Sequence, residues 1–411
     1  MNMKSEFFES LESLLHHKLR TILTLLGMIF GVGAVIAMLS IGKGAEQEAL
    51  QLIDSMGLRN IIVKEKIVDD NRLKEVRESS IGLTLQDLNA ARETLPFLTA
   101  YSAVKQVKTY ALYSHAGTSD ASVRGVTPTH REMANLEIKT GRFLLPVDDL
   151  TFAKVCVIGS RVAQVLFPGE DPIGKHLKID HAWMTVVGIL KDKNLSKDEF
   201  EGISLQGEQN NIYIPLETAL KTFKFKPLES EIDEFRVRLE KGVPSSTAAA
   251  TLAHLMKRRH KEIDDYELVV PEALLEQHRK TQDIFTIVMA CIAGISLLVG
   301  GIGIMNIMLA TVLERTREIG LRRAVGATQK DIKRQFIMET FAVSALGGLL
   351  GIFFGFILSM AISTFTGWAV GWSFTAIILS VGVCAVIGLV FGIYPAVQAS
   401  RLDPIEALRH D

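Results

Sequence analysis

A glycine-rich run, Gly169-Glu-Asp-Pro-Ile-Gly174-Lys175-His176, comes within one residue of a phosphate-binding loop. In that motif backbone amides cradle the phosphates, the lysine reaches them, and a Ser or Thr after the lysine carries a hydroxyl to magnesium. Here His176 takes that place, Pro172 interrupts the loop, and Leu177–Asp180 reads as extended rather than helical. The run therefore predicts a turn before a β-strand and no nucleotide site. His115, His130, His176, His181, His254, His260 and His278 are scattered, without the pairing a zinc site needs, and read as hydrogen-bonded or solvated side chains. No Ser or Cys lies in a nucleophile-elbow pattern. The residues predict no catalysis, and no metal or cofactor in this chain.

The richest polar segment is 314–339, Glu314-Arg-Thr-Arg-Glu-Ile-Gly-Leu-Arg-Arg-Ala-Val-Gly-Ala-Thr-Gln-Lys-Asp-Ile-Lys-Arg-Gln-Phe-Ile-Met-Glu339. Charges of both signs flank small residues, with Gly320 and Gly326 expected as breaks. Thr328 is a plausible cap for a second short helix, whose Ile332 and Phe336 share a face. A solvated loop that fixes topology and a docking surface for a cytoplasmic protein both fit these residues.

The elements that position this segment are apolar. No charged residue lies between Thr21 and Gly42, between Ile284 and Leu313, or between Thr340 and Ser400. A bilayer core about 30 Å thick needs roughly 20 mostly apolar helical residues. The last stretch is long enough to cross twice, with a turn expected at 365–373, where Gly367 and Gly371 loosen the helix and Trp368 and Trp372 suit the interface. Arg315, Arg317, Arg322, Arg323, Lys330, Lys333 and Arg334 in the short loop, with Lys4, Lys18, Arg20, Arg401 and Arg409, place that loop and both termini in the cytoplasm. The first apolar run lacks a cleavage site and reads as a retained anchor. The net charge of −1 says nothing of nucleic acid, and no such partner is expected.

The predicted organisation is an amphipathic cytoplasmic helix in 1–20, with Phe7, Phe8, Leu11, Leu14 and Leu15 at helical spacing over 5–19. A transmembrane helix at 21–42 follows, then an extracytoplasmic domain at 43–283 and a second transmembrane helix at 284–313. A cytoplasmic loop at 314–339, transmembrane helices three and four in 340–399, and a cytoplasmic tail at 400–411 complete the chain. The fold class is thus membrane α-helical, four transmembrane helices, with a large α+β domain between the first and second. In that domain 60–64, 121–126, 154–158, 184–190, 211–214 and 235–239 read as strands. Residues 84–94 (capped by Thr84), 159–166 and 246–260 read as helices, and the polar run 65–82 as a loop or hairpin. Residues 43–56 and 272–283 continue the helical pattern of spans one and two as a stalk. Only Cys156 lies in this domain, so no disulfide forms within it. Inside the spans there is no Asp, Glu, Lys, Arg or His, which disfavours a proton-coupled pathway. Gly27 and Gly31, and Gly347, Gly351 and Gly355, recur at helix-packing spacing.

Four blocks resemble the FtsX-like permeases of ABC transporters, in their MacB-type branch. They are Arg20-Thr-Ile-Leu-Thr-Leu-Leu-Gly27-Met-Ile-Phe-Gly31 with Gly42-Lys-Gly-Ala and Met56-Gly-Leu-Arg-Asn60; Phe167–Lys175 with Val186-Val-Gly-Ile-Leu190; Gly300-Gly-Ile-Gly-Ile-Met-Asn306 running into Glu314–Ala327; and Tyr394-Pro-Ala396 with Arg401–Arg409. The resemblance implies a bacterial inner-membrane permease working as a homodimer or paired permease. A pair of cytoplasmic ATPases would bind ATP and Mg, and their cycle would work the stalk and move the periplasmic domain, a mode called mechanotransmission. It implies that Glu314, Arg315, Arg317, Glu318, Gly320, Arg322 and Gly326 couple to the ATPase. It implies export or extraction of an antimicrobial peptide, macrolide-like compound, lipid or lipoprotein, with a periplasmic adaptor and outer-membrane channel as further partners. MacB-type members carry their ATPase ahead of the first span. Here about twenty residues precede it, so a separate ATPase is expected. The alternative within the family is a non-transporting regulator that activates a cell-wall hydrolase or relays a signal.

Overall fold

The computed structural model describes residues 18–66, 70–192, 199–200, 203–204, 208–366, 370–371 and 373–409. All but the end of the expected amphipathic helix at 5–19 lies outside the described residues, as do Gly367, Trp368, Ala369 and Trp372 of the expected turn. The chain divides into two units, one of residues 49–278 and one of the segments on either side.

Helix α1 (Lys18–Met56) runs without interruption from the first apolar stretch into polar sequence. Gly57, at φ +81°, ends it in a conformation that residues with a Cβ rarely adopt. The inserted unit is built on strands β1 (Asn60–Glu65), β2 (Leu98–Val107), β3 (Leu112–Tyr113), β4 (Ser122–Val126), β5 (Ile138–Gly141), β6 (Val155–Ile158), β7 (His176–Ile179) and β8 (Ala182–Leu190). A small pair, β9 (Glu199–Phe200) and β10 (Ile203–Ser204), precedes β11 (Asn211–Pro215), β12 (Glu234–Leu239) and β13 (Tyr266–Val269). Between them lie α2 (Asp70–Ser79), α3 (Leu85–Thr94), α4 (His130–Met133), α5 (Pro146–Leu150), α6 (Ser160–Leu166), α7 (Leu216–Thr222) and α8 (Ser245–Arg259).

Eleven strands form one mixed sheet in the order β13-β1-β12-β2-β4-β11-β6-β8-β7-β3, with β5 added on β8. Among the described residues only β4/β11 and β6/β8 pair in parallel. Alternation along β11 shows how the sheet is filled. Ile212 and Ile214 join a core with Val123, Cys156, Ile158 and Met184, while Tyr213 between them faces a second core with Val157 and Phe143. A third core packs Ile61, Val63, Phe235 and Val237 against Leu88 of α3 and Leu252 and Met256 of α8.

The six expected strands are present, and so are the three expected helices, with Thr84 capping α3 through a reciprocal box with Asp87. The polar run 65–82 is a correction: it holds helix α2 rather than a loop or hairpin. A helix this polar lacks the apolar stripe by which helices are recognised. Its anchor is the buried Arg77, which bonds the Leu228 carbonyl at 2.8 Å and pairs with Glu65 and Asp265.

In the other unit α9 (Pro271–Glu314), α10 (Thr316–Ala324), α11 (Gln329–Thr366), α12 (Phe374–Ser400) and α13 (Pro404–Arg409) follow. Four helices, α1, α9, α11 and α12, are long and apolar enough to cross a membrane. Small residues set their approach. A Cβ on Gly27 would lie 3.0 Å from Gly300 Cα, and one on Gly31 would strike Leu297, so α1 meets α9 closely. A Cβ on Gly351 would be 2.7 Å from Val32 Cβ, one on Gly355 2.9 Å from the Gly33 carbonyl, and one on Gly347 3.2 Å from Leu25. These contacts join α1 to α11. Helices α11 and α12 form an antiparallel pair in which Gly348 lies on Cys384 and Gly388 on Ser344. Gly371, in the expected turn, donates its N–H to the Ser40 carbonyl at 2.9 Å.

Candidate functional site

The segment 314–339 is an ordered helical corner. Helix α9 stops at Glu314, and the Thr316 hydroxyl donates to the Val312 and Leu313 carbonyls at 3.0 and 2.8 Å. Helix α10 then runs to Ala324 and closes as a Schellman motif. The Ala327 N–H bonds the Arg322 carbonyl and the Gly326 N–H bonds the Arg323 carbonyl, with Gly326 at φ +115°. Gly326 is therefore a true break. Gly320 is not: it lies inside α10, where a Cβ would be 2.7 Å from the Ala407 Cβ. Its small size serves contact with α13 rather than chain flexibility.

Thr328 does cap the next helix, accepting from the Asp331 N–H at 3.3 Å while Asp331 Oδ2 accepts from the Thr328 N–H at 2.9 Å. That helix is not short. It is α11 itself, continuous from Gln329 through the third apolar span. Ile332 and Phe336 share its buried face and pack with Ile319 of α10.

The seven residues singled out from sequence divide into two groups. Glu314, Arg317 and Glu318 are exposed. Arg315, Gly320, Arg322 and Gly326 hold the corner together. The Arg315 guanidinium is 3.5 Å from the buried Glu339 carboxylate of α11. Arg322 bridges Glu318 at 2.6 Å and Gln335 Oε1 at 2.9 Å. Sequence reasoning missed two further contributors. Arg323 donates to the Leu402 carbonyl, and Ala407 of α13 is buried against α10. The tail thus clasps the corner; a small residue in each of two amphipathic helices was the only available signal. On the opposite side of α10, Leu321 (57% exposed), Val325 (83%) and Ala324 surround Arg317, and Leu313 (75%) ends α9 beside them in sequence. Helix α10 therefore has one face anchored to its own chain and one exposed face on which Leu321 and Val325 lie beside Arg317 and Glu318.

Elsewhere, Gly169–His176 is a turn between α6 and β7. Glu170 pairs with Lys175, the Gly174 N–H bonds the Val186 carbonyl at 2.8 Å, and a strand follows where a nucleotide loop requires a helix. Among the described residues no group of three or more His, Cys, Asp or Glu is arranged to hold a metal. Two histidines are buried rather than solvated. His130 is held neutral, its pKa well below the ordinary value through burial and the charges of Arg236 and Arg124. His260 is the reverse case. Burial opposes its charge, but Asp265 Oδ1 at 2.7 Å and Asp87 Oδ2 at 3.6 Å outweigh that and raise it to about 9. Ser80 bonds Asp265 at 2.6 Å on the same side of the ring as the imidazole contact, which makes a buried polar staple and not a nucleophile–base relay.

Four apolar helices with an α+β domain inserted between the first and second define a multi-pass membrane protein with a large extracytoplasmic domain. The MacB-like periplasmic core domain model matches residues 21–255, and the FtsX-like permease C-terminal model matches residues 290–404. The chain belongs to the FtsX-like, MacB-type family of ABC transporter permeases. It is 32% identical to the uncharacterized ABC transporter permease YknZ of Bacillus subtilis over all of both chains. It is 33% identical to the macrolide export ATP-binding/permease protein MacB of Bdellovibrio bacteriovorus over 100% of this chain and 62% of that one. The chain therefore spans less than two thirds of the length of that relative. The periplasmic region of MacB from Actinobacillus actinomycetemcomitans is 18% identical with a TM-score of 0.45, over 56% of this chain and 97% of that one.

Proposed function

We propose that this chain is the permease subunit of an ABC exporter driven by a separate cytoplasmic ATPase, which holds the ATP and Mg. In this reading two permeases pair, each ATPase grips α10, and its cycle moves the inserted domain through the helices α1 and α9. The domain then expels or extracts a substrate such as an antimicrobial peptide, macrolide-like compound, lipid or lipoprotein. Adaptor and outer-membrane channel proteins would extend the path in a cell with two membranes.

The observation that carries the reading is the two-sided helix α10. A helix anchored by Arg315, Arg322, Arg323 and Gly320 on one side moves with α11 and the tail. Its other side offers the exposed Leu321 and Val325 beside Arg317 and Glu318, an apolar patch flanked by a charge of each sign, of the kind that seats in a groove of a partner. The absence of ionisable residues from the spans favours transmitted movement over ion flow.

The test is reconstitution with a cytoplasmic ABC ATPase from the same source. Leu321→Asp, Val325→Asp and the charge reversal Arg317→Glu should each weaken ATPase capture by about tenfold, the loss typical of a truncated anchor residue. The permease alone should hydrolyse no ATP. Full capture and stimulation by all three variants would defeat the docking assignment, and turnover by the clean permease would defeat the borrowed-ATPase reading.

A further inference from the structure

Three strands at one end of the sheet, β8, β7 and β3, carry a row of side chains that the cores of the inserted domain do not use. Leu112, Leu177 and Met184 turn one face of these strands into a core. On the opposite face the register sets Tyr113 beside Lys178 and Lys178 beside Trp183. Lys178 Nζ lies 5.5 Å from the centre of the Tyr113 ring and 5.7 Å from that of Trp183. Trp183 is 54% exposed, and Tyr110, just before β3, is 97% exposed. Rings this large left open to water contribute little to packing, and their clustering marks a contact surface.

The surroundings of the rings are polar. His176 and Thr185 form the next cross-strand pair on this face, with their side chains 3.1 Å apart. Among the described residues, the Trp183 indole N–H, the Tyr110 and Tyr113 hydroxyls and the Lys178 ammonium make no hydrogen bond or ion pair within the chain. The carboxylate two residues past Lys178, that of Asp180, is engaged elsewhere. It accepts from the Tyr110 and Ala111 N–H groups, both at 2.9 Å, and so fixes the Tyr110 backbone beside the turn between β7 and β8. A protein or lipid partner calls for a continuous apolar patch. Here ring faces stand among free donors around one unopposed cation. A sugar chain is the complement of that surface, because its rings present C–H faces to aromatics and hydroxyls to donors. Tyr113 and Trp183 stand two strand spacings apart, about 9–10 Å, room for two successive sugar rings of an extended chain. Lys178 selects a chain that carries negative charge.

We propose that the row Tyr113–Lys178–Trp183 is a binding surface for an acidic glycan of the cell envelope, an extended amino-sugar strand bearing carboxylates. Its sugar rings lie on Trp183 and Tyr113, and a carboxylate meets Lys178. Such a polymer lies on the side of the membrane to which the inserted domain belongs. The surface is separate from α10, and the inference stands apart from the docking of an ATPase there.

The test uses the full-length chain in phosphatidylcholine discs, with Trp368→Phe and Trp372→Phe so that Trp183 is the only indole. Soluble peptidoglycan strands stripped of their peptides should bind saturably and move the Trp183 emission to shorter wavelength. Tyr113→Ala should weaken binding by about tenfold, the loss typical of one aromatic anchor. Trp183→Ala, read by retention of the discs on immobilised strands, should lose as much, while Trp183→Phe keeps most of the binding. Lys178→Gln should weaken the acidic strand several-fold and leave a neutral chitin oligosaccharide unaffected. Polyglutamate, which has the charge without the rings, should not move the emission. An unmoved emission with the glycan, full retention of Trp183→Ala, or a polyglutamate response equal to that of the glycan would overturn the proposal. Equal losses of both sugars in Lys178→Gln would overturn the acidic preference. Capture by phosphatidylglycerol vesicles that disappears in Trp183→Ala would assign the row to a lipid surface instead. All these variants should leave ATPase capture by α10 unchanged, so the two readings fail separately.

Discussion

At the scale of single residues, the buried ion cluster of the inserted domain ties three distant pieces of chain. Asp87 caps α3, His260 follows α8, and Asp265 precedes β13. Arg259 bonds Asp87 at 2.5 Å and Arg77 of α2 approaches Asp265 at 3.5 Å. Asp87 and Asp265 are both held below the ordinary carboxylate range: burial alone would raise them, and the charge of His260 beside both, with hydrogen bonds from Arg259 and Thr84 to Asp87 and from His260 and Ser80 to Asp265, reverses that. The pH dependence has a definite sign. His260 is raised from an ordinary 6.5 to about 9. Its stabilisation is complete below about 6.5 and is lost as pH climbs through about 9, a change on the order of 1–3 kcal/mol. The two aspartates contribute above their unfolded values and lose that contribution in acid. Amide exchange in 80–90 and 256–266, corrected for its intrinsic rate, should therefore speed up between pH 7 and pH 10. His260→Gln should abolish most of that pH dependence; unchanged dependence would separate His260 from the cluster's stability.

At the scale of elements, helix α1 depends on missing side chains. Gly27→Leu or Gly355→Ile forces a branched side chain into a backbone contact and should destabilise the helix unit by about 1–3 kcal/mol. Gly294→Ala and Gly382→Ala, where a Cβ meets nothing within 4 Å, should be near neutral. Reaction of the buried Cys384 with a thiol dye during heating reads the difference. The glycine spacing announced a close approach, but not which helix each glycine meets. Strands such as β11 were legible because β-branched residues alternate between cores. Strand β2 went unread because its buried Lys105, paired with Asp233 at 2.7 Å, looks like a solvated charge. Helix α2 went unread for the same reason at Arg77. In the corner, Thr328 and Gly326 carried local signals of cap and turn, whereas the seat of Gly320 on Ala407 depends on residues far apart in sequence and leaves none.

At the scale of the whole molecule, the near-neutral total conceals a strict sorting of charge, and that sorting sets orientation. Arginines and lysines gather at 314–339 and at the two ends, which predicts that these face the cytoplasm. In a cysteine-free background, an impermeant thiol reagent on intact cells should label Asp120→Cys at once and Val325→Cys only after lysis; the reverse order would invert the topology. The clasp between α10 and the tail has a further consequence for how the protein is made. Ribosomes deliver α10 about eighty residues before Leu402 and Ala407. A nascent chain that has emerged only through α11 carries the corner without Arg323 seated or Gly320 covered. The clasped face of α10 is therefore finished last, once the fourth helix has been made, and on the proposed docking an ATPase that requires the anchored corner would engage only chains whose tail has reached it.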